Sequence, residues 1–235
     1  LSNASDVLSK SDLICKVNFP EAKDLEQIKE NSHLIVSNYN PETEKQFLKS
    51  KLNIFALNLL PRITRAQSMD VLSSQANLAG YRAVIESIYE YQKAVPMMMT
   101  AAGTVPAAKV LVVGAGVAGL QAIATAKRLG AIVSATDVRL TAKEQVESLG
   151  GKFLIVEGSE NLETKGGYAK EAGEDFKKKQ AEMLENATSK SDIIICTALI
   201  PGRPAPRIIT EKMIDKMKPG SVIFDLAVAQ GGNAA

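Results

Sequence analysis

Three glycines, Gly114, Gly116 and Gly119, stand in the spacing G-x-G-x-x-G, and Asp137 lies beyond them. The chemistry open to this set is recognition of a dinucleotide. Gly114 permits a tight turn, Gly116 removes the Cβ that blocks a pyrophosphate, and Gly119 lets a helix pack closely on a strand. A helix N-terminus then offers amide donors and positive dipole to the phosphates. A carboxylate at position 137 can accept both hydroxyls of an adenosine ribose.

Such residues must be held by particular elements. Lys109–Val113 is apolar and β-branched after its first position, which suits a strand buried on both faces. Leu120–Leu129 is alanine-rich and helical in character, with Gly130 as its C-cap. Ala131–Ala135 is a second strand ending at Thr136 and Asp137. Strand, glycines, helix, strand and acid in this order predict a dinucleotide site; the competing reading is a glycine turn used only for packing.

The pattern continues downstream. A helix over Ala142–Leu149 and a strand over Lys152–Val156 lead to a long polar loop, Glu157–Ala172. That loop contains Gly158, Gly166, Gly167 and Tyr168, and is expected to act as a lid. A helix follows from about Gly173, with Glu174–Lys178 and Asp175–Lys179 as pairs on a solvated face. The strand Asp192–Cys196 opens into Thr197–Gly202, the kind of loop at which parallel sheets bind ligands. The helix Thr210–Met217 and the strand Ser221–Leu226 complete the alternation, with Asp225 capping the strand's end.

Upstream, Asp12–Val17, His33–Val36 and Asn53–Leu57 are strand candidates, separated by helical segments Glu21–Glu30 and Pro41–Lys51. This β-α-β-α-β order predicts a parallel sheet, half of a doubly wound domain without its earlier strands. Pro61 ends the third strand. From about Gln67 to about Tyr91 a helix is predicted, with Leu72, Ala76, Ala79 and Ala83 as its apolar stripe. The Met97–Met99 run reads as flexible apolar packing. The expected fold is α/β, with two doubly wound, Rossmann-like parallel-sheet domains joined by a long helix, the first incomplete. Residues 1–92 form the first domain with the linking helix, and 93–235 the nucleotide-binding domain.

Composition narrows the function. The 235 residues are 46% hydrophobic and 23% charged, as in a soluble globular protein, and the net charge of +2 gives no basis for a nucleic-acid or anionic-membrane partner. No apolar run reaches the ~20 residues that span a bilayer. No signal peptide is visible, and the chain starts without Met and ends at Gly-Gly-Asn-Ala-Ala, so a fragment is expected. Cys15 and Cys196 sit in apolar runs and read as buried free thiols of a reducing compartment, with a disulfide between them left open. His33, the one histidine, opens the run HLIV and suits a core or strand-edge position. No metal-ligand cluster exists, and one histidine argues against a Ser-His-Asp or Cys-His nucleophile.

Longer segments carry a resemblance. PRITRAQSMDVLSSQANLAGYRAV, MMMTAAGTVPAAKVLVVGAGVAGLQAIATAKRLGA, TDVR, GGYAKE, TALIPGRPAP and MKPGSVIFDLAVAQGGN resemble the NAD(H)-binding domain I of proton-translocating NAD(P) transhydrogenases. The likeness covers most of the chain from Leu59 onward. Alanine dehydrogenase shares the ancestry and fold, but its catalytic lysine and histidine find no counterpart here. The resemblance implies NAD(H) bound by this chain between two domains and NADP(H) on a partner domain III. It also implies direct hydride transfer, coupled by a membrane domain to proton movement. The parent enzyme then sits at a bacterial inner or mitochondrial inner membrane, this portion is soluble, and a homodimer is expected. The family's Arg-Gln-Asp loop at the nicotinamide falls on Arg62, Gln67 and Asp70. Its ribose-binding acid falls on Asp137, with Val138 and Arg139 beside it, and its mobile-loop tyrosine on Tyr168, next to Gly167. Further contacts map to Ser73, Val117, Gln180 and Leu199, with Ala118 in the glycine turn. A Gln can hydrogen-bond with either polarity, so it can hold a carboxamide or the neighbouring ribose. Two other functions fit the residues: an alanine-type amino-acid dehydrogenase, and a non-catalytic NAD-binding module.

Overall fold

The computed structural model describes residues 3–39, 51–61, 63–156, 174–200 and 203–235. The chain forms two compact units, Leu1–Gln75 and Ala76–Ala235.

In the first unit, α1 (Ala4–Lys10) is capped by Asn3, whose side chain accepts the Asp6 N–H at 2.8 Å. The strands β1 (Leu13–Asn18), β2 (His33–Asn38) and β3 (Asn53–Ala56) form a parallel sheet in the order β1-β2-β3. Ile14, Leu34 and Val36 meet Leu8, Leu25 and Ile28 on one face. Leu13, Cys15, Val17 and Phe55 lie on the other and are exposed. Cys15 is therefore not a buried thiol. Side chains alternate along a strand, and position 15 points away from this core. Both cysteines are free. His33 starts β2, exposed, with its ring 6.0 Å from that of Phe55. The helix expected over Glu21–Glu30 contracts to α2 (Ala22–Leu25). Beyond it Gln27 and Ile28 donate to Asp24 and Leu25 in a tighter, three-residue pattern, which ends the α-helix. The helix expected over Pro41–Lys51 lies almost wholly outside the described residues.

A six-residue 3₁₀ helix, Thr64–Met69, precedes α3 (Val71–Tyr91). The break falls at Asp70, whose carboxylate accepts the Ser73 N–H at 2.9 Å and caps α3. The predicted apolar stripe is displaced toward the helix C-terminus. Leu72 is exposed, and the buried positions are Gly80, Ala83, Val84, Ser87 and Tyr91.

In the second unit, α3 is followed by a hairpin that the sequence pattern did not reveal. Its strands, β4 (Met98–Thr100) and β5 (Gly103–Val105), pair antiparallel. The methionines expected to pack inside are exposed on it, Met99 at 72%. The main sheet contains β6 (Lys109–Val113), β7 (Ile132–Thr136), β8 (Lys152–Phe153), β9 (Ile193–Cys196) and β10 (Val222–Asp225). All pairs are parallel, in the order β10-β9-β6-β7-β8. Between strands run α4 (Val117–Arg128), α5 (Ala142–Ser148), α6 (Glu174–Lys190) and α7 (Glu211–Ile214). Helices cover both faces. Val110 and Val112 face Ala83, Ala122, Ile123 and Val146, whereas Leu111 and Val113 face Leu184, Ile209 and Met213. Burial on both sides is why β6 reads as an unbroken apolar run. Gly130 has φ +88° and closes α4 as expected.

Candidate functional site

The strand order reverses between β9 and β6, because the chain leaves β6 toward β7 and β8 and returns to β9 and β10. Loops at the C-terminal ends of β6 and β9 therefore splay apart and open a crevice, where open parallel sheets bind ligands. The glycine turn follows β6 directly.

Each glycine of the turn meets different surroundings. Gly114 has φ +95°, a conformation that disfavours side chains, and a Cβ there stands 2.8 Å from Thr197 Oγ1. A Cβ at Gly119 stands 1.9 Å from the Gly114 carbonyl oxygen, so this glycine sets how closely α4 approaches the turn. A Cβ at Gly116 meets nothing within 4 Å. Gly116 is also the N-cap of α4 and gives the helix no side-chain cap. Open space thus lies where the amides of the first turn, carried by Val117, Ala118 and Gly119, concentrate positive potential. Val117 is exposed and Ala118 half-buried.

Asp137 follows β7 across from the turn. Its carboxylate accepts four hydrogen bonds. Ala115 N–H donates to Oδ2 at 2.7 Å and the Arg139 backbone N–H to Oδ1 at 2.8 Å. The Arg139 guanidinium grips both oxygens, Nε at 2.9 Å and the terminal nitrogen at 2.8 Å. This two-point pair is largely shielded, with side-chain exposures of 6% for Asp137 and 19% for Arg139. Val138 between them is half-buried. Asp137 therefore fastens the turn, through Ala115. Thr136 adds a buried hydroxyl at the same strand end, with no hydrogen-bond partner among the described residues. The donor and acceptor set fits a dinucleotide: amides for a pyrophosphate, a gap where a side chain would stand, and a carboxylate at the end of the next strand for a ribose.

Leu199, 43% exposed, lies in the loop after β9 on the crevice's other lip. Gln180 stands on α6, half-buried, and the contacts of the described residues do not join it to the turn. In the first unit Gln67 is exposed in the 3₁₀ helix. Asp70 and Ser73 are brought together, with the Ser73 hydroxyl donating to Asp70 Oδ2 at 2.7 Å. Arg62, Gly167 and Tyr168, with the whole lid Glu157–Ala172, lie outside the described residues. So do the side chains of Glu174 and Asp175.

Three residues of this region have contacts that the sequence pattern did not show. Gly80 of α3 lies against α4, and a Cβ there stands 2.1 Å from the Ala118 carbonyl oxygen. Thr197 donates its hydroxyl to the Gly114 carbonyl at 2.8 Å. Asn233 is fully buried and binds the Ala198 peptide through its side chain. For Asn233 the Gly-Gly-Asn motif was the one available hint. Asp225, at the end of β10, accepts from the backbone N–H groups of Ala227, Asn233 and Ala234, so it does cap the strand. Burial pushes the Cys196 thiol up to about 12, with nearby Asp225 adding to the shift. This thiol is neutral and inert at physiological pH. The described residues hold no group of His, Cys, Asp and Glu suited to a metal ion, and no helix long and apolar enough to cross a membrane.

Comparison with known proteins places both units. Residues 1–79 match the family described as "Alanine dehydrogenase/PNT, N-terminal domain", and residues 83–235 its C-terminal domain. The chain is 60% identical over 243 residues to an NAD(P) transhydrogenase alpha subunit of Rhodospirillum rubrum, covering 99% of this chain and 63% of that protein. The alanine dehydrogenase of Methanococcus maripaludis is 26% identical over 239 residues, covering 99% of this chain and 58% of that one. The transhydrogenase crystal structure from Sinorhizobium meliloti superposes with a TM-score of 0.80 at 53% identity, over 99% of this chain and 63% of that one. The chain thus spans just under two thirds of the length of these transhydrogenase relatives.

Proposed function

Because the chain belongs to the alanine dehydrogenase/PNT family, we propose that it is the NAD(H)-binding portion of a proton-translocating NAD(P) transhydrogenase. One observation carries the binding assignment. Of the three turn glycines, two are closed in by the protein, and only Gly116 opens onto empty space at the uncapped start of α4. Packing alone gives no reason to exclude a side chain there, whereas a pyrophosphate does. The choice between activities rests on identity: 60% to the Rhodospirillum rubrum transhydrogenase subunit against 26% to the Methanococcus maripaludis alanine dehydrogenase.

In this reading the amides of α4 hold the pyrophosphate and Asp137 takes the adenosine ribose. The ribose hydroxyls must share or displace the acceptor positions that Arg139 occupies. Gln67 orients the nicotinamide carboxamide or its ribose. Asp70 and Ser73 hold the backbone beside it, and Arg62 completes that loop. The bound dinucleotide supplies the hydride, so the chain needs neither nucleophile nor metal. The acceptor is NADP on a partner domain III, and a membrane domain couples the transfer to proton movement. A second copy of the chain is a further partner, supported by the exposed apolar hairpin of Met98, Met99 and Val105. Sedimentation of the purified chain tests that point.

The test of function is hydride transfer from NADH to an NADP analogue on added domain III, followed by absorbance. Transfer is expected, and alanine with NAD should yield no NADH. Alanine-dependent NADH formation would establish the dehydrogenase instead. NADH binding without transfer to loaded domain III would leave a non-catalytic NAD-binding module.

A further inference from the structure

Asn233 lies outside the glycine turn and its acid, yet its side chain holds the loop that follows β9. It is 0% exposed. Its Oδ1 accepts the Ala198 N–H at 2.9 Å, and its Nδ2 donates to the Ala198 carbonyl at 2.9 Å. One amide thus grips both polar groups of a single residue, which fixes the orientation of that backbone as well as its position. The same Nδ2 donates to the Pro206 carbonyl at 2.9 Å. The backbone of Asn233 is held in turn: its N–H donates to Asp225 Oδ2 at 2.6 Å, and its carbonyl accepts from Ile208 and Ile209. The amide is therefore anchored to the end of β10.

Ala198 occupies a particular place. It follows Thr197, whose hydroxyl ties the loop to Gly114, and precedes the exposed Leu199. The loop is thus the β9 lip of the crevice. The β7 lip has its own anchor in Asp137. A dinucleotide laid across a switch point puts one mononucleotide half on each side.

We propose that Asn233 is a positioning residue for the nicotinamide half of the nucleotide, acting through the Ala198 peptide it holds. The inference rests on the NAD(H)-binding reading above. It assigns separate anchors to the two halves: Asp137 for the adenosine side, and Asn233 with Thr197 for the other. Loosening Asn233 should cost affinity for the whole dinucleotide and spare ligands confined to the adenosine side.

Asn233→Asp is the informative change. The new carboxylate keeps the acceptor for Ala198 N–H but turns a second oxygen toward the carbonyls of Ala198 and Pro206. The titratable and charged groups around it are Asp225 on β10, the Arg207 guanidinium, which donates to the Ala234 carbonyl, and the Cys196 thiol of β9, which is neutral. Burial and the adjacent Asp225 both disfavour its ionised form, so the introduced group picks up a proton as pH falls and can donate again. Affinities are measured from the fluorescence of NADH and by competition with 5′-AMP. The expected result is NADH binding weakened on the order of tenfold at neutral pH, with 5′-AMP within about twofold of wild type. The deficit should shrink as pH falls, while the wild-type chain shows no such recovery. Equal loss for both ligands, or no loss for either, overturns the proposal. Should that variant not fold, Thr197→Val keeps the side-chain shape and removes only the hydroxyl. It should weaken NADH binding by roughly three- to tenfold, with Thr197→Ser restoring it; unchanged binding overturns the proposal. A wild-type chain that bound 5′-AMP and NADH equally would overturn it too, and one that bound no NADH would first remove the function on which it rests.

Discussion

Replacing Gly80 by alanine tests whether α3 supports the nucleotide site. In an exposed helix this change stabilises by about 1 kcal/mol, because alanine restricts the unfolded chain and favours helix. Here the added methyl points at α4. Its ideal position is 2.1 Å from the Ala118 carbonyl oxygen and 2.8 Å from the carbonyl carbon, and real contacts of this kind do not fall below 3.0 Å. The obstacle is backbone, so no rotamer change relieves it, and the two helices must separate by most of an ångström. Overpacking of that kind costs about 1–3 kcal/mol, and the neighbours Ala83 and Val84, both buried in the core of the second unit, lose contact as the gap opens. Over most of that range the cost outweighs the propensity gain, for a net loss of up to about 2 kcal/mol. At about 2–4 °C per kcal/mol for a chain of this size, the melting temperature should fall by up to about 8 °C. The shift also moves Ala118 and Gly119, which carry the first-turn amides. NADH affinity should therefore drop by about tenfold, the effect of losing roughly one good charge-assisted hydrogen bond. Differential scanning calorimetry and NADH fluorescence titration measure the two effects on the same preparation. A variant as stable as wild type, with unchanged affinity, refutes the close contact. Lower stability with full affinity refutes the link between α3 and the turn.

Three other outcomes follow from the proposed function and the structure. Asp137 should favour a free 2′-hydroxyl over a 2′-phosphate, and Arg139 is already committed to Asp137 through two contacts; titration should show NADH bound more tightly than NADPH, and Asp137→Ala should erase the difference. Gln67→Asn withdraws the amide by about one methylene, and misplacement on that scale can cost about 100-fold in rate; hydride transfer to NADP on domain III should fall by that order with NADH affinity within a few fold. Cys15 is exposed and Cys196 buried with its thiol raised to about 12, so iodoacetamide at neutral pH should label Cys15 first, as read by mass spectrometry. The same shift has a defined sign for stability. Above pH 9.0 the unfolded thiol loses its proton while the folded one keeps it, so Cys196 draws stability down as pH rises from there toward 12.

What could be read in the sequence, and what could not, divides by the range of the interaction. The turn was legible because its requirements are local. Gly114 needs its left-handed backbone, and Gly119 must meet the carbonyl of Gly114 only a few residues away. The strand identities were legible because burial on both faces writes a continuous apolar run. Where a sheet buries one face, the same run misleads: Cys15 lies among apolar neighbours yet is exposed, since alternation decides which side chain meets the core. The Met97–Met99 run misled in the same way, because composition says how apolar a segment is and not whether anything covers it. The contacts of Gly80, Thr197 and Asn233 were missed for a different reason. Each is defined by a partner far away in sequence: Ala118 for Gly80, Gly114 for Thr197, and Ala198 for Asn233. A lone glycine in a helix reads as a weak helix former until the opposing carbonyl is known, and a terminal asparagine reads as a turn former until its amide is seen to grip a distant peptide. Motif residues that touch a ligand can therefore be recognised one at a time. The residues that hold those motifs in place become visible only as pairs, and here those pairs join β6, β9 and β10 into the frame of a single crevice.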